Sequence, residues 1–211
     1  MFSQSFLSQF QVPVFPLFLI ILCGMGVFTI LLRRSNRRDN SDEQAFWDRE
    51  NEANATRAVD LSTLDYLDVP VEFFPFHVCD DEELSACEQT LTALSKEKIL
   101  NLNGLTNTEV KLRYGAANLE YLSACDDRYT QLIQTISRLG TRLNELGFTE
   151  EAISVLEYGI GWGTDIKQNY VLLGELYCAT GAFDQVDELK STAESLTSLN
   201  KSAILRELSE L

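Results

Sequence analysis

Histidine is nearly missing from this chain: among 211 residues there is one, His77. It stands beside Pro75 and Phe76 with no nucleophile motif near it, so the inventory for acid–base or nucleophilic catalysis is too thin, and no enzymatic activity is expected. Cysteine is present five times, an odd number, and without CxxC spacing, which argues against a disulfide framework. His77, Cys79, Cys87 and Cys125 are residue types that zinc accepts, but their spacing fits no structural zinc pattern and each cysteine suits a buried apolar position. The series Gly159-x-Gly161-x-Gly163 lacks the G-x-G-x-x-G spacing of a dinucleotide site and follows a helical rather than a strand pattern. It is read as the breaking end of a helix, with Trp162 packed on the next one. The acidic clusters at Asp80, Asp81, Glu82 and Glu83 and at Asp126 and Asp127 lack EF-hand spacing and suit helix N-termini. No cofactor and no metal is expected.

Basic charge is scarce beyond the first segment. Residues 1–38 hold four arginines and no acid, which leaves 13 basic against 32 acidic groups in the remainder. So acidic a surface repels phosphate backbones, and nucleic-acid binding is not expected.

Charge of either sign is absent from residues 1–32. Residues 12–32 form 21 predominantly apolar positions, about the length that crosses a bilayer. Pro13 and Pro16 fall in the first turns, where they disturb a helix least. A cleaved signal peptide fits poorly, because no basic segment precedes the run and no small-residue cleavage site follows it. Arg33, Arg34, Arg37 and Arg38 make a stop-transfer cluster, which the positive-inside rule places in the cytoplasm. The expectation is a single-pass protein of the cell membrane, with the tail before residue 12 outside and everything after residue 32 in the cytoplasm. Residues 33–58 then serve as a basic-to-acidic juxtamembrane linker, with Phe46 and Trp47 as its apolar pair.

Residues 59–79 read as an extended apolar strap. Leu67, Val69, Val71 and Phe73 alternate with polar residues or proline, and Pro70 and Pro75 exclude a helix interior. With Phe74 and Phe76 added, the strap either packs across the outside of the helices that follow or lies in their groove as an internal peptide.

From residue 80 to 211 the periodicity is helical. Leu84, Cys87, Leu91 and Leu94 mark one helix. Val110, Tyr114, Ala117 and Tyr121 mark a second, over residues 108–124, and Asp126-Asp127 start a third. Leu139-Gly140, Leu143, Gly147 and Ala152 recur as Leu173-Gly174, Tyr177, Gly181 and Val186, each 34 residues later. A mid-helix glycine costs roughly 1 kcal/mol relative to alanine, so Gly140 and Gly174 point to a neighbouring helix pressed against the backbone. Gly147 and Gly181 suit left-handed helix ends. Thr149 is expected to cap the helix after Gly147, and Asp165, with Gln168, the helix that follows. Residues 201–211 supply a terminal helix from Ala203, Ile204, Leu208 and Leu211.

This pattern resembles the tetratricopeptide repeat family, whose period and Leu-Gly…Tyr…Gly…Ala signature it shares over residues 133–166 and 167–200. The second copy departs at Lys190, and Thr164 and Ser198 stand where the family closes on proline. The resemblance implies a helical-hairpin solenoid; with the apolar run before it and the helical periodicity around it, the expected fold is all-α, a transmembrane helix followed by such a solenoid of about seven helices. It also implies a concave partner groove lined by Gln134, Ser137, Thr141 and Asn144 in the first copy. In the second, the matching positions are Gln168, Val171, Glu175 and Cys178. No lysine or arginine lines that groove, which disfavours a C-terminal carboxylate and favours a neutral or basic peptide segment. The expected function is a membrane-tethered, non-catalytic scaffold or adaptor that binds a protein partner. The alternative is a structural or assembly subunit of a larger membrane complex.

Overall fold

The computed structural model describes residues 14–211, with side-chain surroundings at 21–31 and 42–211. The described residues are helical, with no strand and a single isolated bridge between Leu67 and Ile99. The chain divides into two units, Met1–Asn54 and Ala55–Leu211.

The first unit is dominated by helix α1, Val14–Ala55, which runs for 42 residues. It corrects the expected membrane anchor. The helix does not stop at residue 32 but continues through Arg33, Arg34, Arg37 and Arg38 into the acidic segment. Among the described residues no helix is long and apolar enough to cross a membrane. The single-pass topology and the cell-membrane location built on it are therefore not supported, and the arginine cluster is helix interior rather than a stop-transfer boundary. Val12, Pro13 and the tail before them lie outside the described residues. Farther along, Phe46 and Trp47 meet edge to face with ring centres 5.4 Å apart, both exposed.

The second unit opens with the apolar strap. It is less extended than its alternation predicts: Leu67 N–H reaches Ile99 O at 2.9 Å, and a short 3-10 turn forms over Val71–Phe73. Val69 and Phe74 are buried, Val71 and Phe76 half-buried, and Phe73 is exposed. Helix α2, Glu82–Leu94, follows with Leu84, Cys87, Leu91 and Leu94 inward, as the periodicity predicts. Asp81 caps it, accepting the Glu83 and Leu84 N–H groups at 3.1 and 3.0 Å.

The next helices break where the periodicity does not show it. Helix α3 covers only Asn107–Tyr114, a 3-10 turn occupies Ala116–Asn118, and α4 runs unbroken over Leu119–Glu145. The break is at Gly115, at φ 92° and so close to the Arg57 carbonyl and Ala58 backbone that a Cβ would collide with them. Asp126 is thus inside α4 rather than at its start, and its carboxylate accepts the Leu102 N–H at 2.9 Å, pinning the preceding loop.

Helices α5 (Thr149–Gly161), α6 (Lys167–Thr180), α7 (Phe183–Ser195) and α8 (Lys201–Leu208) complete the unit. The 34-residue recurrence is physical. Leu143 O accepts the Phe148 N–H at 2.9 Å, and Tyr177 O accepts the Ala182 N–H at 2.8 Å. Gly147 and Gly181 stand between them at φ 86° and 76°. These are two copies of one Schellman-type helix end. The buried positions correspond as well: Leu139 with Leu173, Leu143 with Tyr177, Ala152 with Val186, Val155 with Leu189. Both mid-helix glycines are pressed by neighbours. A Cβ on Gly140 would stand 2.7 Å from Leu156 of α5, and one on Gly174 2.6 Å from Leu211 and 3.0 Å from Leu208. Ile204 and Leu208 of α8 are fully buried, closing the end of the stack.

Two expected caps are displaced. Each Schellman-type turn runs directly into the next helix, so Thr149 is already the first helical residue, one position too late to cap. At α6 the Thr164 hydroxyl oxygen accepts the Ile166 N–H at 3.2 Å, and the helix starts at Lys167, which leaves Asp165 too early.

Candidate functional site

The expected concave positions lie on an open face. Gln134, Gln168 and Glu175 are exposed, and Ser137, Thr141, Asn144, Val171 and Cys178 are half-exposed. The Thr141 hydroxyl is spent on its own helix, donating to Ser137 O at 2.8 Å. The strap packs elsewhere. Phe74 sits 5.0 Å from the Tyr158 ring and 6.3 Å from the Trp162 ring of the α5 end. Beyond it, the His77 N–H donates to Glu88 Oε1 of α2 at 2.7 Å, with Nδ1 3.0 Å from Oε2. The strap therefore bridges α2 and α5 on the outside of the helices. Trp162 packs on Tyr158 and on Phe74 of the strap, and the Trp162 carbonyl accepts the Tyr129 hydroxyl at 3.2 Å.

The zinc-type residues are scattered. Cys87 is buried in the main core, Cys125 in the smaller cluster beneath α3, and Cys79 is exposed. Burial pushes the Cys87 and Cys125 thiols up, so both stay protonated and poor as ligands. Among the described residues no group of three His, Cys, Asp or Glu side chains is placed to hold a metal.

The structure opens clefts on the other face of the repeat, along α5. One, of about 370 Å³, lies between α5, α6 and α7. Its floor is Ile160, Leu173 and Leu189, and its polar rim is Glu157, Gln185 and Glu188. A second, of about 440 Å³, continues along α5 over Ser154, Tyr158 and Trp162. Glu157 and Gly161 line both, so the two form one groove. Gly161 has nothing within 4 Å of where a Cβ would be, which makes it the open crossing point.

The groove's chemistry is acidic and aromatic. The Tyr177 hydroxyl donates to Glu157 Oε1 at 2.7 Å. Burial first, and then the Glu157 and Glu188 carboxylates, push that hydroxyl well above the usual tyrosine range, so it remains a donor at any physiological pH. Among the cations of this unit, Arg128 pairs with Glu97, Arg142 with Asp81 and Lys167 with Glu207.

No protein-family model, curated protein or solved structure matches this chain. The site therefore rests on its geometry. A sequence signal for it exists in the 34-residue register: Ser154 and Tyr158 of α5 correspond to Glu188 and Thr192 of α7, and all four line the groove. Reading the second helix of each copy, and not only the first, brings these residues out.

Proposed function

We propose that the chain is a non-catalytic protein-interaction module, a tetratricopeptide-like helical repeat that docks a segment of a partner protein. The observation that carries this reading is the recurrence of one helical hairpin 34 residues on, with the same helix end and the same pressed glycine. Stacked units of this kind present continuous grooves, and their variable surface positions, not their core, select the partner. The non-catalytic part of the reading rests on the sparse inventory for acid–base chemistry, whose one histidine, His77, pairs with Glu88 beside the strap.

The test uses photo-cross-linking residues at Gln185, on the α5–α7 groove, and at Glu175, on the open face of α6, in the full-length protein in its native cells. The proposal expects at least one position to capture a single foreign polypeptide reproducibly. Capture of the chain's own segments alone, or of nothing, at both positions would contradict it.

One observation favours a second reading, a permanent subunit of a larger assembly. In α1, Ile21, Leu22, Met25, Val27, Phe28, Ile30 and Leu31 are each more than half exposed. So contiguous an apolar surface calls for cover. A partner that stays stoichiometrically bound through purification, and leaves only on denaturation, would favour this reading over reversible docking.

A further inference from the structure

We infer that the α5–α7 groove receives an arginine side chain from a basic segment of the partner, its guanidinium between Glu157 and Glu188 and the neighbouring apolar side chain against Tyr158 and Trp162. The inference rests on the interaction reading and adds the chemistry of the bound segment.

Three features of the groove fit this occupant. The first is charge. Glu157 offers one oxygen to Tyr177 and keeps the other free, and Glu188 stands near enough to act on the same hydroxyl. Neither carboxylate is within ion-pair distance of a cation among the described residues. The second is shape. The floor of Ile160, Leu173 and Leu189 suits the aliphatic stem of a long side chain, leaving its charged head at the polar rim. A planar guanidinium also stacks on aromatic faces, which a compact ammonium does less well. The third is continuity. The groove passes over Gly161, where no side chain intervenes, to the Tyr158 and Trp162 rings, 5.6 Å apart and tilted at 39°. An extended segment thus meets an acidic pocket and an aromatic ledge in succession, the usual pairing of charge and apolar anchor in peptide recognition.

The overall charge of −15 would attract any basic peptide, so the test separates the groove from the general field. The probe is a fluorescein-labelled peptide with arginine beside leucine, acetylated and amidated at its ends, and a matched peptide with glutamine for arginine. Binding is read by fluorescence anisotropy on the full-length protein at fixed salt. Glu157→Gln combined with Glu188→Gln is expected to weaken the arginine peptide by about tenfold, the scale of losing a charge-assisted pair at an interface. Gly161→Leu, which fills the crossing point without touching the core, is expected to do the same. Glu120→Gln combined with Asp127→Asn removes equal charge from exposed positions of α4 that line neither cleft and is expected to leave binding within about twofold, since exposed charges beyond a Debye length of about 8 Å are largely screened. Equal loss from both acidic pairs, loss only from the Glu120 pair, or indifference to arginine against glutamine would overturn the inference. So would a cross-link from Gln185 to a partner segment without a basic residue, and that result would leave the interaction reading standing.

Discussion

An alanine methyl at Gly140 would stand 2.7 Å from both Cγ and Cδ2 of Leu156, a fully buried side chain. At Gly174 the nearest atom is the tip of Leu211, the last residue and 44% exposed. The same substitution therefore divides. Gly140→Ala gains roughly 1 kcal/mol of helix propensity but overpacks the core, a loss of about 1–3 kcal/mol, so it is expected to be destabilising on balance. Gly174→Ala meets Leu211, which can swing into solvent, and the buried Leu208 at 3.0 Å, which must give by a few tenths of an ångström, so it is expected to be less destabilising than Gly140→Ala. Denaturant unfolding of the two variants checks the difference, and equal effects would mean that Leu156 and Leu211 are equally free to move. The close approach at both glycines is legible in the sequence, since glycine at mid-helix has few other reasons to recur. Which neighbour presses on each is not, because Leu156 and Leu211 lie far along the chain and at different positions in their helices.

At the scale of elements, the least legible feature was the start of α4. The acids Asp126 and Asp127 are the right residue type for a helix N-terminus, but the left-handed backbone at Gly115 decides the break. The carboxylate of Asp126 is used instead on the loop before α3. The same kind of residue at Asp81 does cap its helix, and more than the sequence shows is attached to it. Arg142 of α4 reaches across to Asp81 with an Nη2–Oδ2 distance of 2.6 Å, tying α2 to the first repeat. The Arg142 guanidinium, helped by the Leu84 N–H, holds the Asp81 carboxyl down from 3.8 to about 2. A folded-state pKa below the unfolded one means the clasp is fully present above about pH 4 and is lost as pH falls through about 2. Asp81→Asn keeps an N-capping oxygen and removes the charge. It is expected to flatten the fall in melting temperature between pH 4 and 2 while leaving the cap. An unchanged acid limb would show that other carboxylates govern acid unfolding.

At the scale of the whole molecule, the helical class, the core of α2 and the two-copy repeat were legible because each rests on periodicity within a short window. The anchor was not. An apolar run shows where a helix forms but not where it stops, and α1 carries on through its arginines to Ala55. The groove was missed for a different reason. The family resemblance directs attention to the first helix of each copy, whereas the cleft is built from second helices meeting Tyr177 of α6. Everything proposed for that cleft depends on residues 133–200 being two copies of one unit. The most direct measurement is by solution NMR on the full-length protein, reading the amides of Phe148 and Ala182 and the cross-peaks from the Gly140 and Gly174 α-protons. The account predicts slow exchange at both amides, positive φ at Gly147 and Gly181, and contacts from Gly140 to Leu156 methyls and from Gly174 to Leu208 methyls. A protected turn in one copy with an unprotected, differently packed one in the other would contradict it.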